Sequence, residues 1–311
     1  MSVSEAADRA GIFVRHAFGE HTVDLGEIRM NYVVEGAPEA PALLLVPGGA
    51  DSWWTYEEAI GLLSSQFQVF AVDTRGQGRS TWTPGRYTLD NFGNDLVRFM
   101  DLVIKRPAIV AGNSVGGVMT AWLAAYAKPG QVRAAILEDP PLFACEIAPA
   151  YGPGVRTNLG PVFVLRSKWL GNQWSIGDWD GLVQAAPKEL PGMLAGSTYD
   201  PEPPQHLKEF DPEVTASWAS GLAFASSDHE TFLEQVRVPV LFTHHARMTD
   251  PETGHMLGAC TDLQAQNACR IMQAAGQPVT YTSLPDAAHQ MHAADPHRYV
   301  KIVADWITTL E

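Results

Sequence analysis

Three observations in the sequence predict an α/β fold, a mostly parallel, doubly wound sheet with one inserted and mainly helical segment. Short apolar runs alternate with helix-like stretches through residues 1–141, which is the pattern of βαβ units. One of these runs, Ala108 to Ala111, breaks into Gly112, Asn113, Ser114, Val115, Gly116 and Gly117 ahead of a helix-like segment over Val118 to Ala127. Over residues 142–233 the apolar runs give way to a chain rich in Pro, Gly and aromatics, including Trp169, Trp174, Trp179, Tyr199 and Trp218. The expected layout is a core of residues 1–141 and 234–311 with a cap subdomain over 142–233.

Each element follows from its local pattern. Thr22 to Leu25 and Ile28 to Val34 alternate around Gly26 and read as an opening hairpin. Ala42 to Val46 is continuously apolar, as a strand covered on both faces should be, and it ends in Pro47, Gly48, Gly49. Tyr56 to Ser64 reads as a helix and Phe67 to Val72 as a buried strand running into Asp73, Thr74, Arg75, Gly76, Gln77, Gly78, Arg79, Ser80. A helix over Leu89 to Ile104 precedes the strand at Ala108, and Ala134 to Leu137 is the next strand, ending in Glu138 and Asp139. After the insertion, Val238 to Phe242 resumes the sheet. Asp262 to Ala274 is helical, Val279 to Leu284 is the last strand, and Pro296 to Leu310 closes the chain as a helix with proline in its first turn.

Composition narrows the partners. The 311 residues are 46% hydrophobic, enough for one large core, and 21 Lys+Arg against 35 Asp+Glu give a formal charge of -14. That charge opposes binding to nucleic acid or anionic lipid. The three cysteines, Cys145, Cys260 and Cys269, form neither an even disulfide set nor a zinc-ligand spacing, which fits a reducing compartment. No apolar leader or membrane-length run is evident. The expectation is a cytoplasmic protein without cofactor or metal, with homo-oligomerisation left open.

The spacing Gly112-x-Ser114-x-Gly116, between strand and helix, is that of the nucleophile elbow of α/β hydrolases, where the turn is too tight for bulky neighbours. A serine hydroxyl needs a base, and the base an orienting acid. Among 10 histidines, His289 has the best address, just past the final strand and after Ser114 in chain order. His292, His244 and His245 compete with it. The usual acid position, after Val238 to Phe242, carries Met248, with Asp250 the nearest carboxylate downstream. Glu138, at the end of the strand beside the nucleophile strand, is the favoured acid, with Asp250 and Asp139 as alternatives. The oxyanion donors, by position, are the backbone N–H groups of Gly49 and Val115. Arg75 and Arg79 read as parts of a structural turn rather than as an anion clamp.

Longer strings carry a more specific resemblance. SWWTYE at 52–57, VDTRGQGRSTWTPGRY at 72–87, LDNFGNDLVRF at 89–99, VIKRP at 103–107, QWSIGDW at 173–179 and THHARMTDPETG at 243–254 are similar to the bacterial zearalenone lactonases. The resemblance implies a serine hydrolase that opens the macrocyclic ester of a fungal resorcylic lactone through an acyl-enzyme. It also implies a Ser-His-Glu triad, matched here by Ser114, His289 and Glu138. Such a substrate is large and apolar, and Trp53, Trp174, Trp179 and Trp218 are candidates to enclose it. A general carboxylesterase or lactonase of the same fold, or a non-catalytic ligand receptor on it, are the rival readings. The loop Pro47 to Asp51 departs from the family by being richer in glycine.

Overall fold

In the computed structural model, which describes residues 12–171, 177–196 and 201–310, the chain builds one eight-stranded sheet. Its strands are β1 (Glu20–Asp24), β2 (Arg29–Glu35), β3 (Ala42–Val46), β4 (Gln68–Val72), β5 (Ala108–Asn113), β6 (Val132–Glu138), β7 (Val240–His244) and, after a two-residue hairpin of β8 (Met248–Thr249) and β9 (Met256–Leu257), β10 (Val279–Ser283). The order across the sheet is β1-β2-β4-β3-β5-β6-β7-β10. β1 and β2 pair antiparallel, β2 meets β4 antiparallel, and every pairing beyond that is parallel.

The continuous apolar runs are explained by cover on both faces. Successive residues of β3 point alternately to opposite sides, so Leu43 and Leu45 pack with the helices Glu57–Leu63 and Pro296–Thr308. Leu44 and Val46 pack with Leu89–Phe99 and Val115–Tyr126. Each such aliphatic side chain, fully removed from water, contributes about 1.5–3 kcal/mol before conformational entropy is counted. The predicted helix over Leu89 to Ile104 is α-helical only to Phe99. Met100–Ile104 widens into a π-helical turn closed by Lys105 at φ 59°. The predicted strand ends also move: β5 continues to Asn113 and β7 to His244, carrying both strands further toward the site.

Between β6 and β7 the described residues form helices and add no strand to the sheet. They include Val155–Asn158, Gly160–Trp169, Trp179–Glu189, Gln205–Lys208, Pro212–Ser220 and His229–Leu233. Trp174 and Tyr199 lie outside the described residues. The helix Pro212–Ser220 starts at Asp211, whose carboxylate accepts the Glu213 N–H at 3.0 Å, and stops at Gly221 in the left-handed region at φ 83°. It packs on Gly160–Trp169, and together these two helices overhang the carboxyl ends of β3 and β5.

Candidate active site

Parallel strands bring their carboxyl ends to one edge of the sheet, which is where this fold type places ligands. Ser114 is the first residue past β5, with φ 54° and ψ −126°, a conformation that L-residues rarely adopt. The glycines around it are required by contact. A Cβ on Gly112 would run into the Gly116 carbonyl, and one on Gly116 into the carbonyls of Val46 and Pro47. The turn is pinned to the neighbouring strand by the Ser114 N–H, which donates to the Glu138 carbonyl at 2.8 Å. Val115 opens the 12-residue helix that follows, and the first N–H groups of a helix have no acceptor within it.

His289 follows β10 in a turn and donates from Nδ1 to Asp139 Oδ2 at 2.6 Å. The other Asp139 oxygen accepts the His245 N–H at 2.9 Å, so the carboxylate is held at both ends. Burial works against charge on both partners, but the bond and the opposite charge prevail. They hold Asp139 below the usual carboxylate range and His289 above the usual imidazole range. The His289 carbonyl accepts from Asn113 Nδ2 at 2.8 Å, tying the histidine turn to the strand that carries the serine.

Glu138, the acid favoured from sequence, is bonded to a different histidine. Its Oε1 accepts the His292 N–H at 3.0 Å and its Oε2 accepts from His292 Nδ1 at 2.8 Å. The imidazole of His292 is buried and stacked on Tyr56 with ring centroids 3.7 Å apart. The reason is the pleat. Glu138 is the last residue of β6 and still obeys strand alternation, whereas Asp139 turns out of the strand at φ 46° and swings its carboxylate to the side of His289. Asp250 is elsewhere, accepting the backbone N–H groups of Met193 (2.5 Å), Glu252 (2.8 Å) and Thr253 (3.1 Å) in a turn of its own.

The remaining histidine candidates serve packing. His244 is buried, with Nε2 against the Cys260 carbonyl at 3.0 Å and Nδ1 against the Tyr281 hydroxyl at 2.9 Å. His245 bridges the Ala288 carbonyl (2.7 Å) and Thr243 Oγ1 (2.9 Å). Arg75 forms a bidentate pair with Asp95 at 2.7 and 2.8 Å and reaches Glu27 at 3.1 Å. Arg79 pairs with Glu20 at 2.8 Å. Within the same turn Asp73 accepts the N–H groups of Trp53 and Arg79, and burial pushes its carboxyl up to about 7.

Ser114, Val115, Gly49, Asp139 and His289 all line one cavity of about 360 Å³. That lies at the lower end of the range of about 300–1,000 Å³ usual for small-molecule sites. Trp218, Phe163, Leu159 and Phe224 from the insertion supply much of the opposite wall, with Cys145 and Arg166 beside them. Trp218 thus stands at the cavity. Trp53 is fully buried in the core, its indole N–H on Glu20 at 2.9 Å, and Trp179 is buried within the insertion. Core and insertion also approach closely at Gly49: a Cβ there would fall inside the Trp218 indole. Phe163 and Leu159 had no sequence signal, because apolar residues are spread all round the segment Leu159 to Trp169 and mark no face.

This architecture is the α/β-hydrolase fold. A family model describing that fold matches residues 41–171. Relatives are distant: a 3-oxoadipate enol-lactonase of Acinetobacter baylyi is 28% identical over 105 residues, covering 34% of this chain and 39% of that protein. The chain therefore spans well under two thirds of that relative's length. Among solved structures, an E-2-(acetamidomethylene)succinate hydrolase superposes with a TM-score of 0.64 at 21% identity, covering 94% of this chain and 99% of the other. The enol-lactonase of Burkholderia xenovorans superposes with a TM-score of 0.62 at 19% identity over 93% and 100%. Among the described residues no helix is long and apolar enough to cross a membrane, and no cluster of three or more His, Cys, Asp or Glu could hold a metal ion.

Proposed function

We propose that this chain is a serine hydrolase of apolar lactones, with Ser114 as nucleophile, His289 as base and Asp139 as the acid that orients it, and that zearalenone and related resorcylic acid lactones are its substrates. The observation that carries the reading is the 2.6 Å bond between His289 and Asp139 on the wall of the cavity that also holds the strained Ser114. Asp139 takes the acid's place in this scheme, and Glu138 anchors His292 behind it. The insertion acts as a cap over the site.

The chemistry follows from the arrangement. His289 Nε2 takes the Ser114 hydroxyl proton as Oγ attacks the lactone carbonyl, and the N–H groups of Gly49 and Val115 receive the developing oxyanion. Collapse of the tetrahedral adduct breaks the ring C–O bond, and His289 returns the proton to the leaving alkoxide. Water, deprotonated by the same imidazole, then attacks the acyl-enzyme and releases the carboxylic acid. Asp139 keeps Nδ1 protonated, so that Nε2 presents its lone pair.

The choice of substrate rests on the strings shared with the zearalenone lactonases and on the apolar lining of the cavity, to which each buried methylene of a macrocycle contributes about 0.8 kcal/mol. The test is incubation with zearalenone followed by chromatography and mass measurement. A product heavier by one water, absent with Ser114→Ala, is the expected result. Brisk cleavage of small aryl esters with zearalenone untouched would make this a general carboxylesterase. A folded protein that binds the lactone without any turnover would make it a receptor.

A further inference from the structure

We propose that Asp51 is a positioning residue for the base, acting through Gln290; the proposal rests on the hydrolase reading above. Asp51 ends the loop after β3, two residues past Gly49, and is 8% exposed. Its N–H donates to Gln77 Oε1 at 2.8 Å, which fixes its backbone, and its Oδ2 accepts from Gln290 Nε2 at 2.6 Å. Gln290 is the residue immediately after His289. The loop that presents an oxyanion donor and the turn that presents the base are thus joined by one side-chain bond.

Gly48 makes room for the join. A Cβ at that position would come within 2.9 Å of both Asp51 Oδ2 and Asn113 Oδ1 and within 3.4 Å of the Ser114 Cβ. The glycine-rich character of this loop therefore has a use, since it lets a carboxylate reach under the loop to the far side of the site. Burial pushes the Asp51 carboxyl up to about 6, with the nearby His292 and His289 acting against the rise. At neutral pH it is ionised and accepts the Gln290 amide.

Among the ties that hold the His289 turn are Asn113 on the His289 carbonyl, Asp139 on the His289 ring, Glu138 on the His292 ring and Asp51 on Gln290. The first three come from the ends of β5 and β6, and the last comes from the loop after β3. Asp51 and Gln290 also line an open cleft of about 750 Å³ that shares Gly49 with the catalytic cavity. On the cleft side that bond, at 2.6 Å, is accompanied by a longer contact of His292 Nε2 with Thr55 Oγ1 at 3.4 Å. A misplacement of about 1 Å in a reacting group costs on the order of a hundredfold in rate.

The experiment compares Asp51→Ala, Asp51→Asn, Gln290→Ala and the double alanine variant, with kcat and KM measured on a p-nitrophenyl ester and on zearalenone and folding checked by thermal melts. Asp51→Ala and Gln290→Ala should each lower kcat by about ten- to a hundredfold while KM moves less than threefold. Asp51→Asn, whose amide oxygen still accepts from Gln290, should recover most of the loss. The double variant should be no worse than the poorer single one, because both remove the same bond. Losses that multiply, a loss carried by KM, or an Asp51→Asn variant as slow as Asp51→Ala would overturn the proposal. Activity in Ser114→Ala would instead overturn the hydrolase reading; inactive Ser114→Ala alongside Asp51→Ala at full kcat would overturn the positioning role alone.

Discussion

Adjacent carboxylates serve two histidines, and exchanging each for its amide separates chemistry from stability. In Asp139→Asn the new amide can still accept the His245 N–H, now 2.9 Å from Asp139 Oδ1. Its NH₂ group then faces His289 Nδ1, where a carboxylate oxygen stands at 2.6 Å in the native chain. An NH₂ group cannot accept, so the imidazole moves its proton to Nε2 and loses the lone pair that would deprotonate Ser114. The equivalent change in a well-studied serine protease lowers kcat by about ten-thousandfold, or about 5.4 kcal/mol of activation free energy. In Glu138→Gln the affected pair is buried and lies behind the site. The Gln oxygen can keep the His292 N–H while its NH₂ faces Nδ1, so that bond survives only with the His292 proton moved to Nε2 and without its charge, at a cost of about 1.5–3 kcal/mol in folding. That corresponds to a fall in Tm of several degrees. Steady-state kinetics and thermal melts on the two purified variants are the assay. Asp139→Asn should be nearly inactive with a melt close to the parent, and Glu138→Gln less stable but within about tenfold of parental kcat. A four-decade loss in Glu138→Gln together with an active Asp139→Asn would refute this reasoning and return Glu138 to the acid's role.

Three further outcomes are expected. Because Asp139 holds the imidazole above its ordinary range and the proposed base would work only when neutral, kcat/KM should fall on acidification with a midpoint above the usual histidine value of about 6.5; in residual-activity measurements on Asp139→Asn that midpoint should move to lower pH. Gly49→Ala should lower kcat at least tenfold by driving the loop off the Trp218 indole, and adding Trp218→Leu should restore part of it; a Gly49→Ala enzyme with parental kinetics would count against that contact. Trp218→Ala should raise KM for zearalenone more than for a p-nitrophenyl ester, since it removes apolar wall that only the larger substrate reaches; equal changes for both would mean the indole serves the loop alone.

The elbow was legible because the backbone geometry leaves so few choices: Gly112 and Gly116 touch backbone carbonyls that exclude any side chain, and such exclusions survive in sequence as small residues at fixed spacing. The position of His289 on the cavity wall was legible for a related reason, its place after the last strand. Which carboxylate reaches it was not. Glu138 and Asp139 are neighbours, both buried, and the choice turns on the single dihedral at which Asp139 leaves β6. Nothing in side-chain type announces that dihedral. The Asp51–Gln290 bond was invisible in the same way, since it joins residues 239 apart in sequence. For the insertion, sequence identified aromatic content but not direction. Trp218 and Phe163 meet the cavity and Trp179 does not, a division set by how short helices pack rather than by their composition.

Trp218 fills the space that any side chain at position 49 would need, and that makes the two positions a single unit of inheritance. An insertion borrowed from another protein would arrive without its indole and leave the loop beneath it unsupported; a bulkier loop transplanted under the native insertion would be pushed out of line. Under the proposed function, a side chain at position 49 is tolerated only with a smaller residue at 218, so exchanging the pair together is the route to a differently shaped loop.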